Sequence, residues 1–206
     1  MDRRALLVLD LGVKLGAVAL ALYPLLDPSA SHFQGKAMGA RAAVYPWAVV
    51  IIPAAWWFAG RPRPYPYVAD MALVLPFAFD AAGNVFGWFA LTGFDALPHA
   101  FGWLSLAIGF GLAVVPLVDR RWLAFLLVAG FGATIDILWE IGEFLLQRSG
   151  SSGLQLTYEN TIQDLALSLL GATIGALVVV SLGWPKPGTP RRLFGWSEGL
   201  EIASQG

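Results

Sequence analysis

"WLAFLLVAGFGATIDILWEIGEFLLQ", residues 122–147, decides the fold. It is apolar almost throughout, contains no proline, and as a helix rising 1.5 Å per residue is long enough to cross ~30 Å of hydrocarbon. Yet it carries Asp136, Glu140 and Glu143. At 100° per residue these three fall within an arc of about 60°, so all three carboxyls share one face. A charge near the bilayer centre costs ~3 kcal/mol, so that face must point into a bundle interior or a wet cavity. One segment thus predicts a transmembrane bundle with a polar inside.

The rest of the chain agrees. Of its 206 residues, 57% are hydrophobic and 13% charged, against roughly 25% charged in a soluble domain, and mean hydropathy is +0.66. The expectation is an all-α, polytopic transmembrane bundle of six spans, at about 5–26, 42–59, 67–90, 99–118, 122–147 and 159–183. Residues 1–183 form the membrane domain and 184–206 a cytoplasmic tail. The basic start "MDRR" followed by an apolar run resembles a signal peptide. Asp10 and Lys14 interrupt that run, which reads better as an uncleaved anchor.

Lysine and arginine near span ends favour the cytoplasmic side. With both termini cytoplasmic, that side holds Arg3, Arg4, Arg61, Arg63, Arg120, Arg121, Lys186, Arg191 and Arg192, and the other only Lys36, Arg41 and Arg148. The connector "RSGSSGLQLTY", 148–158, then faces outward, where it could act as a lid over a site.

In this topology the polar residues within spans gather at the outer level. Asp80 and Asn84 pair at i, i+4 on the third span, as do Asp95 and His99 where the fourth begins. Asn160 and Asp164 open the sixth. Carboxylates so close repel one another, and the remedies are protonation, a neighbouring cation or a bound metal. The expected ligands are His99, Glu140, Glu143 and Asp164, with Asp80 or Asp136 as general base; Asn84, Asp95 and Asn160 complete the cluster. Oxygen ligands with one imidazole suit Mn, Fe, Mg or Zn without selecting among them. The same acids could instead be protonated or hydrogen-bonded struts between helices, Asn160 an N-cap, and Asp95 a helix-start residue. Asp10 and Lys14 read as a self-neutralising pair, and Asp70 as a solvated partner of Arg61 and Arg63.

Other chemistries are excluded or lack support. There is no cysteine, hence no disulfide, thiolate nucleophile or iron–sulfur cluster. No P-loop, dinucleotide fingerprint or H-E-x-x-H motif occurs, and "SGSSG" lacks a partner base for a hydrolase triad. A net charge of −1, with basic residues scattered over short connectors, argues against nucleic acid as a partner.

Two stretches carry a resemblance. "DAAGNVFGWFALTGFDALPH", Asp80 to His99, is similar to the D-x-x-G-N and D-x-x-x-H signature of the YjdF-like family of bacterial inner-membrane proteins. "WEIGEFLLQRSGSSGLQLTYENTIQDLALSLLGATIG", Trp139 to Gly175, resembles that family's E-x-x-E segment and following helix, and also the last spans of VanZ-like proteins of the cell envelope. The resemblance implies a multi-pass protein of the bacterial cytoplasmic membrane with Asp80, Asn84, Asp95, His99, Glu140, Glu143 and Asp164 in its polar cluster. It departs at Asn160 and Ser168, where the pattern has Asp and Asn.

Three functions fit these residues. The first is a metal-dependent hydrolase or transferase acting on an envelope lipid or lipid-linked substrate from the outer side. The second is a cation or proton transporter. The third is an accessory subunit of a larger membrane complex. Only the lipid bilayer is a partner common to all three.

Overall fold

Among the described residues, apolar runs bounded by glycine, proline and charge fold as seven α-helices: α1 (Arg3–Leu22), α2 (Met38–Val44), α3 (Ala48–Phe58), α4 (Tyr67–Val85), α5 (Ala96–Val114), α6 (Arg121–Arg148) and α7 (Tyr158–Leu182). The structure, a computed structural model, describes residues 2–154, 156–185 and 193–194. Six helical stretches are long and apolar enough to span a membrane, Arg3–Leu25, Met38–Phe58, Tyr67–Val85, Ala96–Leu117, Arg121–Arg148 and Tyr158–Leu182. The protein is therefore a multi-pass helical membrane protein, and six crossings put residues 2 and 185 at the same end. We call that end the basic end and the opposite one the polar end.

Two span boundaries differ from the sequence expectation. The second span is composite: α2 and α3 are joined through a 3-10 turn, Tyr45–Trp47, centred on Pro46, whose missing N–H suits a helix start. It begins at Met38, after Ala37 turns the chain at φ 52°, and so draws Arg41 out of the connector and into the bundle. The third span stops at Val85, because Gly87 at φ 71° reverses the chain into a separate turn, Trp88–Ala90.

Small residues set the centre. A Cβ on Gly171 of α7 would lie 2.2 Å from the Ala100 carbonyl oxygen of α5, so the two backbones touch there, the close packing expected of small residues in membrane helices. α6 packs on α7, where a Cβ on Gly132 would meet the Ala172 methyl at 2.4 Å. It meets α5 through the stacked rings of Phe110 and Phe131, 3.9 Å apart. α4 packs on α5 and α1 on α4, whereas α4 and α6 share little contact, which leaves a cleft between them. Leu126, Leu127, Leu138, Phe144 and Leu145 are exposed on the outside of α6, the face that lipid chains cover.

α1 packs along α4 and is also held by charge. It buries only Asp10, Ala17 and Ala21, and its Lys14 Nζ lies 3.1 Å from Asp10 Oδ2 and 2.5 Å from Asp70 Oδ2 of α4. Tyr65 also donates its hydroxyl to Asp70; burial and that bond to the carboxylate push the Tyr65 phenol well up. The expected solvated pairing of Asp70 with Arg61 and Arg63 is corrected: Asp70 is fully buried, and Arg61 instead lies over the Trp57 ring at 3.3 Å. An acid at a dry helix interface needs an internal cation, and Lys14 supplies it. Most of the expected tail, 184–206, lies outside the described residues. Phe194 is buried and its N–H bonds the Ala113 carbonyl at 3.2 Å.

Candidate functional site

The polar residues at the polar end separate into two nodes around one cavity. The first centres on Arg41, delivered by α2. Its Nε lies 3.1 Å from Asp80 Oδ2 and its Nη2 3.4 Å from Glu143 Oε1, while Nη1 donates to the Lys36 carbonyl. Asp80 also accepts from the Tyr45 hydroxyl at 2.6 Å, and Asn84 Nδ2 bonds its backbone carbonyl at 3.0 Å. Rings of Phe77 and Trp139 pack around Tyr45, with centroids 5.1 and 6.2 Å from its own. Arg41 thus ties the second span to the third and fifth with charge-assisted bonds.

The second node centres on His99, in the first turn of α5. Its Nδ1 is 3.2 Å from Ser168 Oγ, and its Nε2 is 3.6 Å from Asp164 Oδ1, beyond hydrogen-bond length. Two groups of ligand-type atoms lie within 4.8 Å of one another, Asp95–His99–Asp164 and His99–Asp136–Glu140. Asp136, Glu140 and Asp164 are 2%, 7% and 2% exposed. Asp136 Oδ1, both Glu140 oxygens and Asp164 Oδ1 have no hydrogen-bond partner. Buried oxygens of this kind are expensive to leave unpaired. Among the described residues the charged groups acting on Glu140 are all acids, Glu143, Asp164, Asp136 and Asp95. The α7 start beside them is orderly: Thr157 is the N-cap, its Oγ1 accepting from the Asn160 N–H at 3.1 Å, and Asn160 Nδ2 reaches Asp95 Oδ2 at 3.2 Å.

The nodes face a cavity of about 550 Å³ whose wall includes Lys36, Arg41, Asp80, Asn84, Asp95, His99, Glu143, Asn160 and Asp164. At its mouth the Gly153 N–H bonds the Gly35 carbonyl at 3.0 Å, so the connectors 26–37 and 148–158 are stitched across it.

The nine residues anticipated from sequence therefore do converge at one end of the bundle, but not as one set. Glu140 and Asp164 flank the His99 imidazole, and Asp136, expected as a base, sits beside it. Glu143, expected as a ligand, is turned to Arg41 and joins neither ligand group, because the Arg41 guanidinium draws it and Asp80 away. Asn160 serves as a tether to Asp95, with Thr157 as the cap. Sequence reasoning missed Arg41 and Tyr45; their i, i+4 spacing in "MGARAAVYPW", directly before an apolar run, is the signal that could have found them.

This fold and site define a class: a six-span membrane protein with a buried carboxylate–imidazole cluster that could hold a metal ion. Compared with protein-family models, curated proteins and solved structures, the chain matches none of them.

Proposed function

We propose that the protein binds a divalent cation at His99, Asp136 and Glu140, with Asp164 across the imidazole, and uses it on a substrate entering the cavity at the polar end. The observation that carries this reading is the set of buried, unpartnered oxygens on Asp136, Glu140 and Asp164 around a single imidazole. A divalent ion would neutralise two of those charges and give the oxygens a partner. When bound it would polarise a substrate oxygen or lower the pKa of a water. Asp164, which both lines the cavity and approaches His99, is placed to accept a proton there. Asp80, with Arg41, Tyr45 and Asn84 donating to it, is better suited to positioning Arg41 than to taking a proton.

We place the polar end on the extracytoplasmic side of a bacterial inner membrane, in the YjdF-like family with VanZ-like last spans, and the reaction as hydrolysis or group transfer on an envelope lipid. Support for the orientation is the charge count, which sharpens once Arg41 belongs to the bundle: among the described residues Lys36 and Arg148 remain on that side, against Arg3, Arg4, Arg61, Arg63, Arg120 and Arg121 on the other. Transport fits less well. Between the two polar levels the described interior is mainly apolar, with Val74, Ala107, Val128, Ala172 and Ala176 in its core and the buried Ser105 hydroxyl bonded to the Ala72 carbonyl.

Elemental analysis of detergent-purified protein tests the metal. Wild type and Glu143→Gln should carry metal at about one per chain, and Asp136→Asn with Glu140→Gln should carry none. Metal-free wild type with intact folding would sink the reading in favour of protonated acids.

A further inference from the structure

The cavity wall has a charge imbalance and a composition that the metal proposal does not use. Asp80, Asp95, Glu143 and Asp164 line it against Lys36 and Arg41, two negative charges in excess with the histidines neutral. Asp136 and Glu140 behind His99 add two more, so a divalent ion bound there still leaves two. A phosphate or other anion entering this space is repelled, and a cation is drawn in. Asp164, one of the wall residues, is 2% exposed and keeps its Oδ1 without a hydrogen-bond partner just behind the wall, toward His99.

The remaining wall is aromatic and aliphatic. Tyr45, Phe77, Phe89, Trp103 and Trp139 present rings to the cavity, and Phe89 already carries one cation, with Lys36 Nζ 5.4 Å from its centroid. Acids combined with ring faces are the surroundings that hold a substituted ammonium, which gives up little hydration and gains cation–π attraction. Ile135 of α6 lines the cavity and is 36% exposed, on the side where α4 and α6 scarcely pack on each other. From Asp95 to Leu106, both on its wall, α5 descends about 16 Å at 1.5 Å per residue, deep enough for a headgroup and the first carbons of a chain.

We infer that this cavity binds the ammonium headgroup of an amphiphile, with the apolar chain leaving past Ile135 into the bilayer. The inference rests on the proposed function only in setting the headgroup beside the His99 node.

Calorimetry on the full-length protein in uncharged maltoside micelles, with hexyltrimethylammonium, hexyl sulfate, hexanol and tetramethylammonium as probes, tests it. Hexyltrimethylammonium should bind about ten-fold more tightly than hexyl sulfate and hexanol. Glu143→Gln, which removes a wall charge, and Trp139→Leu, which removes a ring, should each weaken it about five-fold or more. If one variant fails to fold, the other carries the test. Tetramethylammonium binding about ten-fold more weakly than the hexyl probe assigns an amphiphile; equal binding would overturn the chain's exit and leave a free organic cation as ligand. Hexyl sulfate binding equally or better, or both variants keeping wild-type affinity, overturns the inference altogether. Metal content of the same samples separates the two ideas: metal without ammonium selectivity ends this one alone, and ammonium selectivity without metal ends only the metal site.

Discussion

Arg41 Nε lies 3.1 Å from Asp80 Oδ2, and its Nη2 lies 3.4 Å from Glu143 Oε1. These two contacts join α2, α4 and α6 at the level where α4 and α6 scarcely pack on each other. The guanidinium occupies the place of the apolar contact that the cleft omits. It holds the cavity's shape while leaving its volume open.

Arg41→Met should therefore be strongly destabilising, by about 3–5 kcal/mol, because it leaves two poorly solvated carboxylates without their cation. Adding Asp80→Asn and Glu143→Gln to that variant should recover most of the loss, since no charge is then stranded. Thermal unfolding in detergent measures both; equal stability of Arg41→Met and wild type would contradict the pairing.

The same logic applies to Lys14, which lies between Asp10 and Asp70. Lys14→Met should cost about 3–5 kcal/mol and loosen α1, the helix with the least apolar burial to retain it. Protease accessibility of the connector 26–37 should rise in this variant. The triple change Asp10→Asn, Lys14→Met, Asp70→Asn should restore protection.

Gly171→Leu should abolish metal binding although position 171 offers no ligand. A side chain there meets the Ala100 carbonyl one residue beyond His99, so α5 and α7 must separate and carry His99 away from Asp164 and Ser168. The expected loss is about 3 kcal/mol or more in stability, with metal stoichiometry falling in whatever fraction remains folded. Retained metal at full occupancy would mean that the helices need not touch for the site to form.

Lys36 provides a pH test. Burial and the nearby Arg41 hold its amine below the usual lysine range, with Asp80 and Asp95 opposing the shift. A lowered folded value means that the charged form is the costly one. Folding stability should therefore rise as pH climbs through that value, and the gain is complete at the ordinary lysine value. Affinity for an ammonium probe should rise over the same interval, as one repulsive charge leaves the wall. Lys36→Met should remove this alkaline limb and bind the probe more tightly at neutral pH. A pH profile identical in wild type and variant would show that Lys36 does not face the ligand.

How much of this was legible beforehand differs between fold and site. The 3.6-residue period placed Asp136, Glu140 and Glu143 on one face of α6, and the cost of exposing them to lipid fixed that face as inward. Spacing also paired Asp95 with His99 as neighbours. What it could not supply was the second span's entry point. Arg41 looked like a connector residue because the positive φ at Ala37, which starts the helix four residues early, has no glycine to announce it.

The sequence by itself determined six apolar helices and the end at which their polar groups gather, because hydropathy and helical period are local properties that the bilayer reads directly. Only the tertiary structure decided which acid answers to which partner. Glu140 and Glu143 lie one turn apart on α6, yet one is left among acids and the other reaches Arg41 from a span 102 residues away in the chain. Charge neutralisation acts through space, and a guanidinium supplied by a distant helix is invisible to any window along the chain.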